Sequence, residues 1–343
     1  MTLKSFEKTG IPPSHGLGGR NYNGIDLIKF LCSFLVFCIH VPYFQDEATH
    51  LQEFTNFLLR HTVARLAVPF YFVCSGYFLF RKMPLHDLDV GGIKDYCYKI
   101  LRLFATWSIL LFTGGTYHLW YLRATVVAVV FISLLLYRRI SLRSLFLLAL
   151  ALYGFGLLGD AYSFLAEPLI AHRLFGLPFR IYGFFYVSTR NGLFMGTIFV
   201  LMGAAFAHSK ISLSPGKSLL GLILSVFLLV VEEFFLRYRD VPPGNLFIFL
   251  LPAVYFLFSF GIQWKLPDSP IYPRLRAAGL WLYFIHVFVS HIFTISADKL
   301  EELLGLQIAP YRFLLTLTST VILSFGLEAL SRRERFKWLN WLI

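Results

Sequence analysis

Charged residues, and acidic residues above all, are scarce in this sequence of 343 residues. Asp, Glu, Lys and Arg make up 15% of the chain, whereas 57% of the residues are hydrophobic and the mean hydropathy is +0.67. This composition excludes an ordinary soluble domain and leaves no room for a soluble catalytic module. Repeated apolar runs of about twenty residues instead predict a polytopic membrane protein of the all-α class.

Several catalytic motifs are also missing. The sequence has no GxSxG elbow, HExxH pair or P-loop. The missing elbow argues against a hydrolase-like serine nucleophile, and the missing ligand spacing argues against zinc, so we expect no metal. Proton transfer centred on histidine is the chemistry that remains.

Cysteine is rare, and the four cysteines form no CxxC pair. They lie in or next to apolar runs, at Cys32, Cys38, Cys74 and Cys97. We expect them to be small residues of the core, since neither a disulfide framework nor a metal site has this spacing.

Apolar runs bounded by charges, Gly and Pro predict a helical bundle with about ten transmembrane spans. The predicted spans cover residues 24–44, 62–80, 100–117, 119–137, 143–160, 192–209, 218–236, 245–263, 278–297 and 311–329. The net charge of +12 comes mainly from short loops between these runs, as membrane topology requires, and nucleic acid is not an expected partner. Most of the 31 Lys and Arg residues fall in cytoplasmic segments if both termini are cytoplasmic.

The chain divides into three predicted parts. Residues 1–22 are polar, carry no hydrophobic segment before a small-residue cleavage site, and predict a flexible cytoplasmic lead rather than a signal peptide. Residues 23–330 form the predicted membrane domain, and residues 331–343 a basic cytoplasmic tail.

Ionisable residues interrupt the first apolar run, Ile25 to Phe44. Lys29 and His40 are eleven residues apart, so a helix presents them on one face, separated by roughly 16 Å along its axis. Such groups are costly in a membrane and usually functional, which makes this face a candidate half of an active site. The alternatives are a snorkelling Lys29 paired with Asp26, and a His40 that only joins helices by a hydrogen bond.

A second pair of basic residues, Lys99 and Arg102, shares a helix face at the cytoplasmic start of the third predicted span. Together with Lys29, this pair predicts a binding site for the phosphates of a cytoplasmic donor. The alternative is ordinary anchoring on lipid headgroups.

Further polar residues gather near the predicted outer face. They are His118, Arg65, Arg190 and Asn191, which we take as candidate substrate-binding residues. Alternatively, His118 belongs to an aromatic belt at the interface and Arg65 snorkels from the end of its span. His286 falls in the middle of a span, where a neutral, hydrogen-bonded histidine is expected.

A signature in the first span and five further segments, taken together and in order, resemble a known family. Lys29, ten residues and His40 resemble the first-helix signature of the acyltransferase-3 family of integral-membrane O-acyltransferases, in which Arg or Lys precedes His. The other landmarks are VPFYFVCSGYF from Val68, Lys99-x-x-Arg102, HLWYL from His118, RNGLF from Arg190 and LYFIH ending at His286.

The resemblance implies a bacterial inner-membrane enzyme of ten helices. It implies that an acyl group moves from cytoplasmic acyl-CoA, typically acetyl-CoA as donor substrate with no bound cofactor, to a hydroxyl of a surface polysaccharide or lipid-linked glycan. Membrane lipids would be the remaining partners. The implied roles are catalysis for His40 and donor binding for Lys29, Lys99 and Arg102, although Lys replaces Arg at two positions where bidentate phosphate contacts would form.

Several questions stay open at the level of sequence. His40 could act as a general base or form a transient acyl-imidazole, and Arg190 or Asn191 could hold the sugar or stabilise an oxyanion. A similar membrane domain occurs fused to serine racemases, which favours the alternative of a carrier or flippase for a small polar molecule or lipid-linked sugar. A structural subunit of a glycan-assembly complex is the third hypothesis.

Overall fold

The computed structural model describes most of the chain and leaves out the predicted N-terminal lead up to residue 20. The described residues are 21–41, 50–111, 117–172, 176–177, 180, 188–209, 213–304 and 311–343. Within these ranges the chain forms helices and no strand, which agrees with the predicted all-α class.

Twelve α-helices lie within the described ranges. In chain order they are α1 Asn23–His40, α2 His50–Asn56, α3 Ala67–Phe80, α4 Val90–Leu110, α5 Trp120–Tyr137, α6 Leu142–Leu158, α7 Ser163–Ala171, α8 Thr197–His208, α9 Pro215–Tyr238, α10 Leu250–Gln263, α11 Ile271–Leu304 and α12 Arg312–Ser331. Turns of π or 3₁₀ helix adjoin several of them, at Phe57–Thr62, Val63–Leu66, Tyr117–Leu119, Gly192–Gly196 and Glu334–Leu342.

Six helical segments of the described residues are long and apolar enough to cross a membrane. They are Asn23–His40, Glu53–Phe80, Tyr117–Tyr137, Pro215–Tyr238, Ile271–Ser296 and Arg312–Ser331. The apolar helices α6 and α10, and the helical segment Gly192–His208, are shorter. The chain is therefore a multi-pass helical membrane protein. Each of the ten predicted spans overlaps a helix, but ten crossings stay a prediction.

Helix α1 lies in the core of the bundle between α11 and α3. Ile25, Phe37 and Cys38 on α1 are fully buried. All four cysteines are buried and form no disulfide, which confirms their predicted place in the core. The buried position of α1 explains why its few polar groups face other helices and internal cavities rather than lipid.

Two glycines allow α3 and α8 to pack with their backbones in contact. A Cβ added to Gly76 would lie 2.0 Å from the Val200 carbonyl oxygen, and one added to Gly203 would lie 2.1 Å from that of Val73. Only glycine permits so short a distance here. Small residues are common where two membrane helices pack closely. The contact fixes α3, whose side chains line both cavities described below.

The segment that leads into α3 is wound irregularly. Its π turn, Phe57–Thr62, carries Arg60, and its 3₁₀ turn, Val63–Leu66, carries Arg65. Arg60 Nε donates to the Ile39 carbonyl at 2.9 Å, which ties this segment to the end of α1. Irregular turns of this kind are frequent at functional sites.

The predicted C-terminal tail packs against α4. Trp107 Nε1 donates to the Leu342 carbonyl at 2.7 Å, and Arg102 donates to the Trp341 carbonyl at 2.9 Å. The segment Glu334–Leu342 therefore forms part of the helical body.

Candidate active site

Three histidines from distant parts of the sequence meet at the C-terminal end of α1. His40 is the last residue of α1, His118 lies in the 3₁₀ turn before α5, and His286 lies on α11. The ring centre of His286 is 5.2 Å from that of His40 and 5.2 Å from that of His118, while His40 and His118 are 6.1 Å apart. We call these three residues the histidine cluster.

Hydrogen bonds around the cluster define the tautomer of His40. His286 Nδ1 faces the carbonyl oxygens of Leu282 and Tyr283 at 3.1 and 2.9 Å, so it carries the proton and His286 Nε2 is an acceptor. His40 Nδ1 lies 3.2 Å from that acceptor and 2.9 Å from the Val36 carbonyl oxygen, so it must be the protonated nitrogen of a neutral ring. The lone pair of His40 is consequently on Nε2, which has no hydrogen-bond partner among the described residues.

The His118 ring is buried without hydrogen bonds to the described residues. Only 1% of the residue is exposed, yet neither ring nitrogen has a partner among the described residues. Its backbone is held, because Tyr283 Oη donates to the His118 carbonyl at 2.9 Å. A buried ring with two unused polar atoms is costly, and a bound polar group would remove that cost.

A small cavity of about 30 Å³ adjoins two members of the cluster. We call it the histidine cavity. Its walls contain cations and imidazoles but no carboxylate, and they are Val36, Ile39, His40, Ala64, Arg65, Val68, His118, Trp120, Arg190, Met195, Asn245 and Tyr283. Four of the candidate residues, His40, His118, Arg65 and Arg190, are thus brought together.

Asn245 joins the two arginines of the histidine cavity. Its side-chain oxygen accepts from Arg65 at 2.7 Å and from Arg190 at 3.2 Å. Asp160 holds the Asn245 loop in place by accepting the backbone N–H groups of Asn245 and Leu246 at 2.7 and 2.8 Å. Burial lowers the pKa of the Arg190 guanidinium and nearby Asp160 opposes that shift, but arginine remains a cation at neutral pH.

A larger cavity of about 800 Å³ opens toward the other end of α1. We call it the Lys29 cavity. Its charged lining residues are Lys29, Lys82, Lys99, Arg276, Asp26, Asp89 and Asp95. The structure thus brings together Lys29 and Lys99, two of the three predicted donor-binding residues.

The cations of the Lys29 cavity differ in how far they are neutralised. Arg276 pairs with buried Asp26 at 3.3 Å. Lys29 Nζ instead lies 4.5 Å from the ring centre of Phe78, and no carboxylate of the described residues lies within 4 Å of Lys29 or Lys99. Both amines are therefore available to an anionic ligand.

Tyrosine rings separate the two cavities, which share no lining residue. Tyr71 and Tyr121 line the Lys29 cavity, Tyr283 lines the histidine cavity, and the ring centres of Tyr121 and Tyr283 are 6.3 Å apart. Tyr71 is fixed to α1 because its hydroxyl donates to the Lys29 carbonyl at 2.6 Å. We call Tyr71, Tyr121 and Tyr283 the tyrosine layer, which lies between the Lys29 cavity and the histidine cavity.

Two predicted residues lie outside the cavities. Arg102 stacks 4.4 Å over the Trp341 ring, although it lies three residues from Lys99. Asn191 caps the π turn Gly192–Gly196, accepting the N–H groups of Leu193 and Phe194 at 2.9 and 3.1 Å. Its side-chain oxygen is occupied, so the local role of Asn191 is structural.

Sequence reasoning missed two residues of the site. His286 is hydrogen-bonded in mid-span as expected, but its bond to His40 was not foreseen. Asn245 lies in the loop before α10 and belongs to no motif. Among the described residues, no group of three or more His, Cys, Asp or Glu side chains is arranged to hold a metal ion.

These features define a class: a multi-pass helical membrane protein with a histidine held in one tautomer at an internal cavity. In a comparison with known proteins, residues 22–114 match the model of the acyltransferase-3 family, described as an acyltransferase domain. This segment, about a quarter of the chain, is thus similar to that family, in agreement with the resemblance. The matched segment contains His40, Lys29, Lys99, Arg65 and Arg102, whereas His118, Arg190 and His286 lie beyond it.

Curated relatives match over most of the chain. An amino-acid racemase of Enterococcus faecalis is 26% identical over 91% of this chain and 47% of its own length. A serine/alanine racemase of Enterococcus gallinarum is 24% identical over 92% of this chain and 47% of its own length. The chain spans about half the length of these relatives. No solved structure matches.

Proposed function

We propose that this chain is an acyl-CoA-dependent O-acyltransferase of the bacterial inner membrane, with both termini cytoplasmic. Acetyl-CoA is the proposed donor, and a hydroxyl of a surface polysaccharide or lipid-linked glycan is the proposed acceptor. One observation carries the proposal. His40 lines the histidine cavity, and its tautomer leaves the lone pair on Nε2. The same helix carries Lys29.

The Lys29 cavity suits the donor. Its volume of about 800 Å³ is in the range of sites for large ligands. Among the described residues, no carboxylate lies within salt-bridge distance of Lys29 or Lys99, although Asp26 interacts with Lys29 electrostatically. The CoA phosphates would bind these amines, and the acylated arm would extend past the tyrosine layer toward His40. Side-chain rotation of Tyr121 or Tyr283 would be needed for that passage.

His40 Nε2 supports two chemical routes. As a general base it takes the proton of the acceptor hydroxyl while the oxygen attacks the thioester carbonyl and CoA leaves as the thiolate. As a relay its Nε2 attacks the carbonyl and CoA leaves as the thiolate. The acceptor hydroxyl then attacks the acyl-imidazolium, which releases the ester and neutral His40, and the hydroxyl proton passes to the thiolate. In both routes the ring gains positive charge, and the Nδ1 proton already points at two acceptors, the Val36 carbonyl and His286 Nε2.

A carrier is the second candidate function. Two cavities at opposite ends of α1, separated by a tyrosine layer, also fit a path that opens alternately. The names of the curated relatives point to an amino acid such as serine as cargo. This candidate predicts movement of the amino acid into vesicles without consumption of acetyl-CoA.

Mass spectrometry of cell-surface glycans tests the enzymatic proposal. Cells that express the chain should carry an O-acetyl group that is missing without it and missing with His40→Ala. The matched control is His291→Ala, an exposed histidine on the same helix as His286. Glycans that stay acetylated with His40→Ala at normal expression would exclude the proposal.

A further inference from the structure

The two arginines of the histidine cavity have more hydrogen-bond donors than the cavity has acceptors. Among the described residues, Asn245 Oδ1 is the one side-chain oxygen bonded to both guanidinium groups, and two bonds fill its two lone pairs. Arg65 Nε is buried without a partner among the described residues. Arg190 otherwise stacks 4.8 Å over the Trp120 ring.

No negative charge in the described lining balances this pair. The histidine cavity contains no Asp or Glu, and no carboxylate of the described residues lies within 4 Å of Arg65 or Arg190. Asp160 lies behind Asn245, where its Oδ2 accepts two backbone N–H groups and its Oδ1 accepts from the Asn245 amide at 3.4 Å. Asp160 and Glu233 interact with Arg65 electrostatically but form no salt bridge with it. Unpaired guanidinium groups in a partly buried site favour a ligand that brings its own anion.

From this geometry we propose that the acceptor carries an acidic group, a carboxylate or a phosphate, close to the hydroxyl that receives the acyl group. This inference rests on the proposed function and names the substrate class. Arg65 and Arg190 bind the acid, and His118, 1% exposed and unpartnered, supplies a further polar contact. The cavity of about 30 Å³ admits such a compact group but not a sugar ring.

Three small acceptors with similar hydroxyl groups test the transfer. They are glycerol, glycerate and glycerol 3-phosphate, given with acetyl-CoA to the full chain reconstituted in lipid, with O-acetyl products measured by mass spectrometry. We expect kcat/KM for at least one acid to exceed that for glycerol by about 10- to 100-fold, the usual range for charge-assisted hydrogen bonds. Equal values for all three would overturn the inference and leave the acyltransferase proposal intact.

Variants of the histidine cavity test which of its residues bind the acidic group. Arg65→Gln and Arg190→Gln should bring the ratio of kcat/KM for the acid to kcat/KM for glycerol toward one. Arg65→Lys and Arg190→Lys should keep part of the preference for the acid. Asn245→Asp should also bring the ratio toward one with both arginines present, because it places a carboxylate between them. The control Arg239→Gln, a cation that stacks on Phe164 outside the cavity, should keep the ratio.

Direct binding separates this inference from the proposed function. Glycerate or inorganic phosphate should raise the thermal unfolding midpoint of the wild-type chain and of Arg239→Gln, but not that of Asn245→Asp. Stabilisation without any acetyl transfer would support the acid site and refute the enzyme. No stabilisation of the wild-type chain by either anion would overturn the acid site, whatever the transfer assay shows.

Discussion

The two cavities along α1 differ in size and in the balance of charge. The Lys29 cavity has a volume of about 800 Å³ and is lined by four cations and three carboxylates. The histidine cavity has a volume of about 30 Å³, and its described lining contains two cations and two imidazoles but no carboxylate. A large, partly compensated cavity suits a flexible phosphorylated ligand, and a small one free of carboxylates suits a positioned reaction. The difference suits the division that we propose, in which the Lys29 cavity holds a donor and the histidine cavity is the place of acyl transfer.

Gly203→Ala should break both cavities at once and have the largest effect. Its new Cβ would meet the Val73 carbonyl oxygen at 2.1 Å and force α3, which lines both cavities, away from α8. We expect a loss of about 3 kcal/mol or more in stability, seen as a lower thermal unfolding midpoint in detergent.

Gly154→Ala is the matched control for that change, because nothing lies within 4 Å of the added Cβ in α6. It should be neutral or stabilising by up to about 1 kcal/mol. Equal midpoints for the two variants would show that α3 and α8 do not pack as described.

His286→Ala should impair the histidine cavity alone. It removes one of two acceptors of the His40 Nδ1 proton, so the His40 ring loses its orientation. We expect kcat to fall by about 10- to 100-fold with KM for acetyl-CoA unchanged. His286→Asn, whose oxygen can accept, should recover part of the rate; a rise in KM alone would contradict this positioning role.

Lys29→Met should impair the Lys29 cavity alone. Losing one charge-assisted contact to a phosphate should raise KM for acetyl-CoA about 10-fold while kcat changes little. Lys265→Met, the same change on an exposed loop, is the control. A fall in kcat without a change in KM would show that Lys29 does not hold the donor.

Arg102→Gln should have the smallest effect and locates the edge of the Lys29 cavity. Because Arg102 stacks on Trp341, we expect less than a twofold change in KM for acetyl-CoA, whereas Lys99→Met should raise it several-fold. Equal increases for the two variants would place Arg102 in the donor site after all.

Helical periodicity was sufficient to predict much of this arrangement. Lys29 and His40 share a face of α1, and each lines one of its two cavities, as the spacing predicts. Helical periodicity did not predict that Lys99 and Arg102 point in different directions. Residues three apart differ by about 60° around a helix, which is enough for one to face the cavity and the other Trp341.

Contacts between distant segments could not be predicted from one sequence. The bond from His286 to His40 depends on how α11 is rotated against α1, and Asn245 reaches the arginines from a loop. Asn191 was predictable in principle, because asparagine before a helix is a frequent N-cap. A substrate-binding role for Asn191 stays a prediction.

Release of free CoA from acetyl-CoA by the purified chain, with its acceptor present, tests the central claim that His40 Nε2 carries the acyl chemistry. The account predicts that His40→Ala lowers the rate by about 100- to 10,000-fold at an unchanged thermal unfolding midpoint, while His291→Ala matches the wild type. A His40→Ala protein that releases CoA at most of the wild-type rate would contradict it.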